Sequence, residues 1–240
     1  MQVLLILPTL DEGPLLLQTV QESFALLPTY DVHALIAASA SRTTAETRRA
    51  IQELQSLYPG RVEAFDQIMP GVGEALKEAF VCARGDVVVI MTPDMETPPS
   101  ALPQIIQKIE EGFDVVATTR WRKGVIFNGY DPVKLFLNFI FQQLFRALYL
   151  TRLSDLTYGY RAFKIEVIKN IRWEESRHPF FFEMILKPLR LGYTIAEVDV
   201  PWDTFIARRL SVGRATPRDL LTYVWVGLRN RFMSKEAMRA

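Results

Sequence analysis

Apolar residues in the first half of the chain fall into short runs separated by helical periods. Residues 2–7 (QVLLIL), His33 to Ala38, Arg61 to Phe65, Val87 to Met91 and Asp114 to Thr119 are short apolar runs, of which Val87 to Met91 is too short for a helix and rich in β-branched side chains. They predict five strands, Val87 to Met91 buried on both faces as in a parallel sheet. Between them the apolar positions recur at helical spacing. Leu15, Leu16, Thr19, Val20, Phe24 and Leu27 form one helix face. Thr43-Thr44-Ala45-Glu46 has capping-box spacing before a helix reaching about Leu57. Glu74 to Arg84 predicts a third helix, and Leu102, Ile105, Ile106 and Ile109 follow Pro98-Pro99 as a fourth. This alternation implies an α/β fold: a Rossmann-like, mostly parallel twisted sheet with helices on both faces.

Beyond residue 120 the pattern changes. Residues 133–150 (VKLFLNFIFQQLFRALYL) read as one helix, with Lys134, Asn138, Gln142 and Arg146 as a narrow polar stripe on an apolar cylinder. A spanning helix needs roughly 20 apolar residues, so the segment is either a nearly buried core helix or an amphipathic helix lying in a membrane interface. Ser154 to Arg161 is a polar turn entering a predicted helix from Ala162 to Ile171. Another helix, about Phe180 to Leu191, contains Pro188 and is capped by Gly192. The strand Thr194 to Val200, a loop to Pro217 and a helix from Arg218 to Phe232 complete the chain.

Composition narrows the class. The 240 residues are 49% hydrophobic, enough for one large domain. We divide it into residues 1–119, 120–217 and a basic C-terminal helix, 218–240. The lone Cys82 excludes an internal disulfide, and two distant histidines, His33 and His178, argue against a His/Cys zinc site. No positive n-region or cleavage site follows Met1, so no signal peptide is expected. The formal charge of +1 hides an asymmetry: residues 204–240 carry eight Arg and Lys against Asp219 and Glu236, a net of +6. Such an end suits phosphate or acidic lipid. Nucleic acid is not expected, because the basic residues accompany apolar helices rather than exposed stacking aromatics.

The candidate chemistry lies in DVVVIMTPDMETPPSALP, residues 86–103. Asp94 and Glu96 sit just past the C-terminal end of a strand, where open α/β sheets bind ligands. Two carboxylates one residue apart converge on a hard cation, Mg²⁺ or Mn²⁺, or else are plain solvated loop acids. Gly71-Val72-Gly73 either lets backbone approach a phosphate or serves as a helix start with close packing; it lacks the third glycine of a dinucleotide fingerprint.

In order along the chain, these motifs resemble the inverting, GT-A type glycosyltransferases. PTLDE at 8–12 resembles their P-x-x-N/D-E opening, and residues 71–103 resemble their G-x-G-x-A…G-D-x-V-x-x-M-D-A-D-x-x-x-P-P stretch. The Thr119-Arg120-Trp121 strand end, SDLTYGYRAF at 154–163 and RLGYTIAEVDV at 190–200 match later family motifs. Within that group the resemblance is to the dolichyl- and polyprenyl-phosphate mannose or glucose synthases.

The resemblance implies a nucleotide-sugar donor contacted by Pro8, Leu10, Glu12, Gly73, Lys77, Thr92 and Arg120. It implies a divalent metal on Asp94 and Glu96, and a polyprenyl-phosphate acceptor bound by Lys134, Arg208 and Arg209. Asp94, Asp155 and Arg161 become the candidate catalytic residues, with Asp155 as acceptor-orienting group, base or helix cap. A peripheral position on the cytoplasmic face of a membrane follows, with a membrane-protein partner as a further expectation. The sequence also departs from the pattern. Ala37 and Ala38 stand where two aspartates are usual, Thr92 replaces the first acid of D-x-D, and Leu10 replaces a frequent aromatic. Two alternatives therefore stand beside the lipid-phosphate enzyme: a transferase acting on a hydroxyl acceptor, and an inactive nucleotide-sugar or partner-binding module.

Overall fold

In a computed structural model, described for residues 1–94, 97–121, 132–200 and 217–240, the apolar runs assemble into one seven-stranded sheet. The strands are β1 (Gln2–Pro8), β2 (Asp31–Ala38), β3 (Val62–Asp66), β4 (Val87–Ile90), β5 (Val115–Thr119), β6 (Arg161–Lys164) and β7 (Ile195–Asp199), in the order β3-β2-β1-β4-β6-β5-β7. The helices are α1 (Pro14–Leu26), α2 (Ala45–Leu57), α3 (Val72–Cys82), α4 (Leu102–Glu110), α5 (Pro132–Tyr149), α6 (Ile165–Asn170), α7 (Pro179–Leu191) and α8 (Pro217–Phe232).

Strand periodicity divides the core. Val3, Leu5 and Leu7 of β1 point into one apolar layer with Leu16, Val20 and Phe24 of α1 and Ile105 and Ile106 of α4. Leu4 and Ile6 point to the opposite layer, with Leu76 and Phe80 of α3, Phe141 and Phe145 of α5, and Phe180 and Phe182 of α7. Successive side chains of a strand face opposite ways. A strand covered on both sides must therefore be apolar throughout, as β4 is.

Sequence and structure differ at several elements. Arg161–Lys164 is not the start of a helix but an antiparallel strand inserted between β4 and β5, pairing Ile90 with Arg161 and Val115 with Phe163. Only the six residues of α6 remain helical there. The cap of α2 is Thr44 rather than Thr43, its side chain accepting from the Thr47 amide at 3.3 Å. Thr43 instead ties two loops together, accepting from Ser39 N–H at 2.7 Å and donating to the Thr9 carbonyl at 3.3 Å.

Helix α5 buries one polar position and turns much of its apolar side outward. Gln142 of its polar stripe is buried with Phe141 and Phe145, whereas Val133, Phe136, Leu137, Phe139, Ile140 and Leu144 are exposed. It is thus not a nearly buried core helix. Its neighbour α8 also exposes Leu221, Trp225, Leu228 and Phe232. Among the described residues no helix is long and apolar enough to cross a membrane.

Candidate active site

The sheet order reverses at β1, which has β2 on one side and β4 on the other. At such a switch point the loops leaving the two strands part and open a crevice beyond their C-terminal ends. The loops there are 9–13 after β1 and 91–98 after β4.

The first loop is organised by Glu12. Its Oε2 accepts from Thr9 Oγ1 at 2.6 Å, Leu10 N–H at 2.6 Å and Asp11 N–H at 3.0 Å. Glu12 therefore shapes the turn after Pro8 that presents Leu10. In the second loop Thr92 Oγ1 donates to Asp94 Oδ1 at 2.6 Å, while Thr97 Oγ1 bonds Thr92 N–H at 2.9 Å and Thr92 O at 2.7 Å. Thr92, in the place of the first acid of D-x-D, thus orients the Asp94 carboxylate. Glu96 lies outside the described residues.

Among the described residues no group of three or more His, Cys, Asp or Glu could hold a metal. The available chemistry still suits a hard cation. Mg²⁺ is bound through one or two carboxylates plus substrate phosphates and water, rather than by an all-protein cage. Asp94 is one such carboxylate, and Glu96 follows it two residues on in the sequence.

A second cluster sits at the end of β5. Arg120 Nε donates to Asp155 Oδ2 at 2.8 Å and its Nη2 to Oδ1 at 3.2 Å. The guanidinium carbon also lies 4.6 Å from the centre of the Tyr158 ring. Asp155 Oδ1 further accepts from Thr157 N–H and Tyr158 N–H, each at 3.1 Å, and from Gln142 Nε2 at 3.3 Å. Burial pushes the Asp155 carboxyl up, but the charge and hydrogen bonds of Arg120 and the Thr157 amide outweigh it. The group is held below the ordinary carboxylate range. That arrangement fixes an anion; it does not suit a proton acceptor. Nor does Asp155 cap a helix, since the amides it holds belong to an irregular turn.

Arg161 is likewise a framework group. It is fully buried, and its guanidinium donates to the Phe181 carbonyl and, at 2.8 Å, to the Leu156 carbonyl. Burial lowers its pKa to about 10. The structure thus sets it beneath the Asp155 turn, not at a substrate-facing surface. Tyr160 braces the two clusters: its hydroxyl donates to the Pro98 carbonyl at 3.2 Å, and its own carbonyl accepts from Thr118 Oγ1 at 2.7 Å.

Gly73 and Lys77 are drawn elsewhere. The α3 amides of Gly73 and Glu74 donate to Ser176 O at 3.0 and 3.3 Å, so a main-chain carbonyl caps this helix. A Cβ on Gly73 would lie 2.6 Å from Glu175 O; its lack of a side chain permits close packing. Lys77 Nζ bonds Glu74 Oε1 at 2.9 Å and Glu174 O at 3.5 Å. The side chain of Lys134, and Arg208 and Arg209, lie outside the described residues. The basic C-terminal charge is partly spent inside the protein, because Arg229 pairs with Glu175 at 2.9 Å and Arg231 Nε donates to Leu148 O at 2.8 Å.

Gln142 and Glu197 were not picked out from sequence. Glu197 accepts from Ser154 N–H at 2.7 Å, Ser154 Oγ at 2.8 Å and Asp155 N–H at 3.2 Å. Burial raises its carboxyl, the Ser154 bonds oppose that, and the Asp155 charge adds to it. Glu197 is the acid of the 190–200 family motif, but a motif position does not say which turn its carboxylate will hold. Gln142 carried a mark, as a polar position on an apolar helix, but its direction was not legible.

The switch-point crevice and strand order define a GT-A type fold. The same architecture occurs in glucosyl-3-phosphoglycerate synthase from Mycobacterium tuberculosis in complex with Mn²⁺, UDP and phosphoglyceric acid, with a TM-score of 0.68 and 20% identity over 97% of this chain and 79% of that one. A family model described as glycosyl transferase family 2 matches residues 4–172, and the chain belongs to that family. Its relatives include the dolichyl-phosphate hexose transferase of Haloferax volcanii, 31% identical over 137 residues, which cover 57% of this chain and 59% of that protein. The polyprenol monophosphomannose synthase of Mycolicibacterium smegmatis is 24% identical over 228 residues, 85% of this chain and 84% of the relative. The match to the dolichol-phosphate mannosyltransferase of Pyrococcus furiosus spans 48% of that relative's length.

Proposed function

We propose that this protein transfers a sugar from a nucleotide-sugar donor to a polyprenyl or dolichyl phosphate at the cytoplasmic face of a membrane, as a peripheral protein. One observation carries the reading. Arg120 shares its partners Asp155 and Thr157 with a helix whose apolar side faces outward, which suits a lipid-borne substrate. The names of the Haloferax and Mycolicibacterium relatives support the same acceptor class.

In this reading the β1 and β4 loops receive the donor. A divalent ion held by Asp94 and Glu96 would neutralise charge on the diphosphate as it departs. An oxygen of the lipid phosphate attacks the anomeric carbon. The bond from that carbon to the diphosphate oxygen breaks, and the nucleoside diphosphate leaves with the electron pair. The acceptor phosphate is already anionic near neutral pH, so no side chain has to remove a proton. This agrees with the fixed, ionised state of Asp155. Arg120, held by Asp155 and the Tyr158 ring, offers a positive charge where two anionic substrates approach. Lys134, Arg208 and Arg209 are assigned to the acceptor phosphate with it.

The deciding experiment supplies a panel of nucleotide sugars with a short polyprenyl phosphate, the matching alcohol and a free glycan. The phosphate should accept sugar and the alcohol should not. A hydroxyl compound as the better acceptor across the panel would overturn the assignment.

A further inference from the structure

We propose that Gln142 is a positioning residue that couples the seating of α5 on a lipid surface to the Arg120–Asp155 cluster. This rests on the membrane-surface reading above, and adds to it a means by which the surface controls the site.

The geometry is specific to this side chain. Gln142 is buried, one helical turn from Asn138, on the side of α5 opposite Phe136, Leu137 and Leu144. Its Oε1 accepts from Leu156 N–H at 3.0 Å, and its Nε2 donates to Thr157 Oγ1 at 3.0 Å and Asp155 Oδ1 at 3.3 Å. Both of those acceptors, Asp155 Oδ1 and Thr157 Oγ1, also receive Arg120 Nη2, at 3.2 and 3.4 Å. One amide on the surface helix therefore shares its partners with the cationic group of the site. A second contact runs in parallel: the Phe139 ring of α5 lies 6.1 Å from that of Trp121, the residue after Arg120.

Packing alone would be served by a leucine at position 142, since the helix is already anchored by Phe141 and Phe145 against Phe182. The polar amide has a different consequence. Hydrogen bonds weaken steeply once the donor–acceptor distance passes about 3.5 Å. A shift of α5 by a fraction of an ångström breaks or tightens the bonds at Leu156, Thr157 and Asp155 while leaving aromatic packing nearly intact. With α5 seated, Gln142 holds the 155–158 turn and the Asp155 carboxylate that orients Arg120. With α5 unseated, the turn loosens and Arg120 loses its fixed direction.

The test compares wild type, Gln142→Leu and the outward-face variant Phe136→Ser/Leu144→Ser, each with and without vesicles of phosphatidylcholine and phosphatidylglycerol. The readout is amide hydrogen exchange at residues 156–158. In wild type, vesicles should slow exchange there by about fivefold or more, as expected when a local opening is suppressed. In Gln142→Leu, which should still float with vesicles, that slowing should disappear. The outward-face variant should exchange like wild type in solution and ignore vesicles. It also keeps the proposal testable if Gln142→Leu folds poorly. With a polyprenyl-phosphate acceptor in vesicles, Gln142→Leu should lose about tenfold in kcat, the worth of roughly 1.4 kcal/mol, at little change in donor KM. Equal slowing in wild type and Gln142→Leu, or no slowing in wild type, would overturn the coupling. Absence of any transfer to polyprenyl phosphate by wild type would instead overturn the function, and the exchange result would still decide the coupling.

Discussion

Replacing Asp155 with asparagine tests the central electrostatic claim. Among the described residues, each group hydrogen-bonded to the carboxylate is a donor: Arg120, Gln142, the Thr157 amide and hydroxyl, and the Tyr158 amide. Asparagine keeps Oδ1 for the amides and then must aim its NH₂ at Arg120 Nε, setting donor against donor. Breaking a buried pair by neutralising one member costs about 3–5 kcal/mol. Arg120 retains 19% side-chain exposure and can turn part of its charge to water, so the lower end, about 3 kcal/mol, applies. Urea unfolding followed by circular dichroism at a series of pH values provides the measurement. The native pKa of Asp155 is depressed, so its stabilisation is present above the unfolded value of about 3.9 and is lost as pH falls through the lower native value. The gap between wild type and Asp155→Asn should therefore be constant from neutral pH down to about pH 5 and close only in stronger acid. A gap below about 1 kcal/mol at neutral pH, or one already shrinking between pH 7.5 and 5, would refute the argument and restore Asp155 as a candidate base.

Asp94→Ala should abolish the dependence of nucleotide binding on Mg²⁺ or Mn²⁺ in titration calorimetry, with stability lowered by about 1 kcal/mol as the half-buried carboxylate gives up its hydrogen bond from Thr92 Oγ1; metal-independent binding by wild type would remove the metal assignment. Lys187 is fully buried, with Nζ 2.6 Å from Glu183 and 2.9 Å from Glu174. Lys187→Met should cost about 3–5 kcal/mol by removing the nearest cation from the buried Glu183, as read from chemical denaturation. Phe136→Ser/Leu144→Ser, at positions 63% and 58% exposed, should cut flotation on anionic vesicles without lowering the melting temperature. Loss of folding in that variant would show those side chains to be core.

The parallel half of the sheet was legible because each strand there forms a local apolar run and each helix a local period. β6 was not, since Arg-Ala-Phe-Lys has no strand signature and is held in place by β4 and β5, remote in sequence. Asp94 and the Asp155 turn could be named from their motifs. Their roles depended on partners brought in by the fold: Thr92 for Asp94, and Arg120 with Gln142 for Asp155. Arg161 illustrates the limit, because an arginine in a family motif reads as a substrate contact until its burial beneath the turn is seen. For α5 the sequence showed a polar stripe but not that Gln142 within it is buried, a choice made by the polar Asp155 turn that it bonds.

The antiparallel strand β6 also bears on how the chain folds. Because β6 lies between β4 and β5, neither strand finds its neighbour on that side until residue 164 has emerged and threaded back. A nascent chain ending near residue 120 would expose the edge of β4, a row of unpaired backbone groups that invites pairing with other chains. The long sequence separation of Val88 and Phe163 adds loop-closure entropy to the rate-limiting step, which favours slow folding. Residues 1–119 and 120–217 thus share one sheet, and a recombination junction placed between them would cut through it.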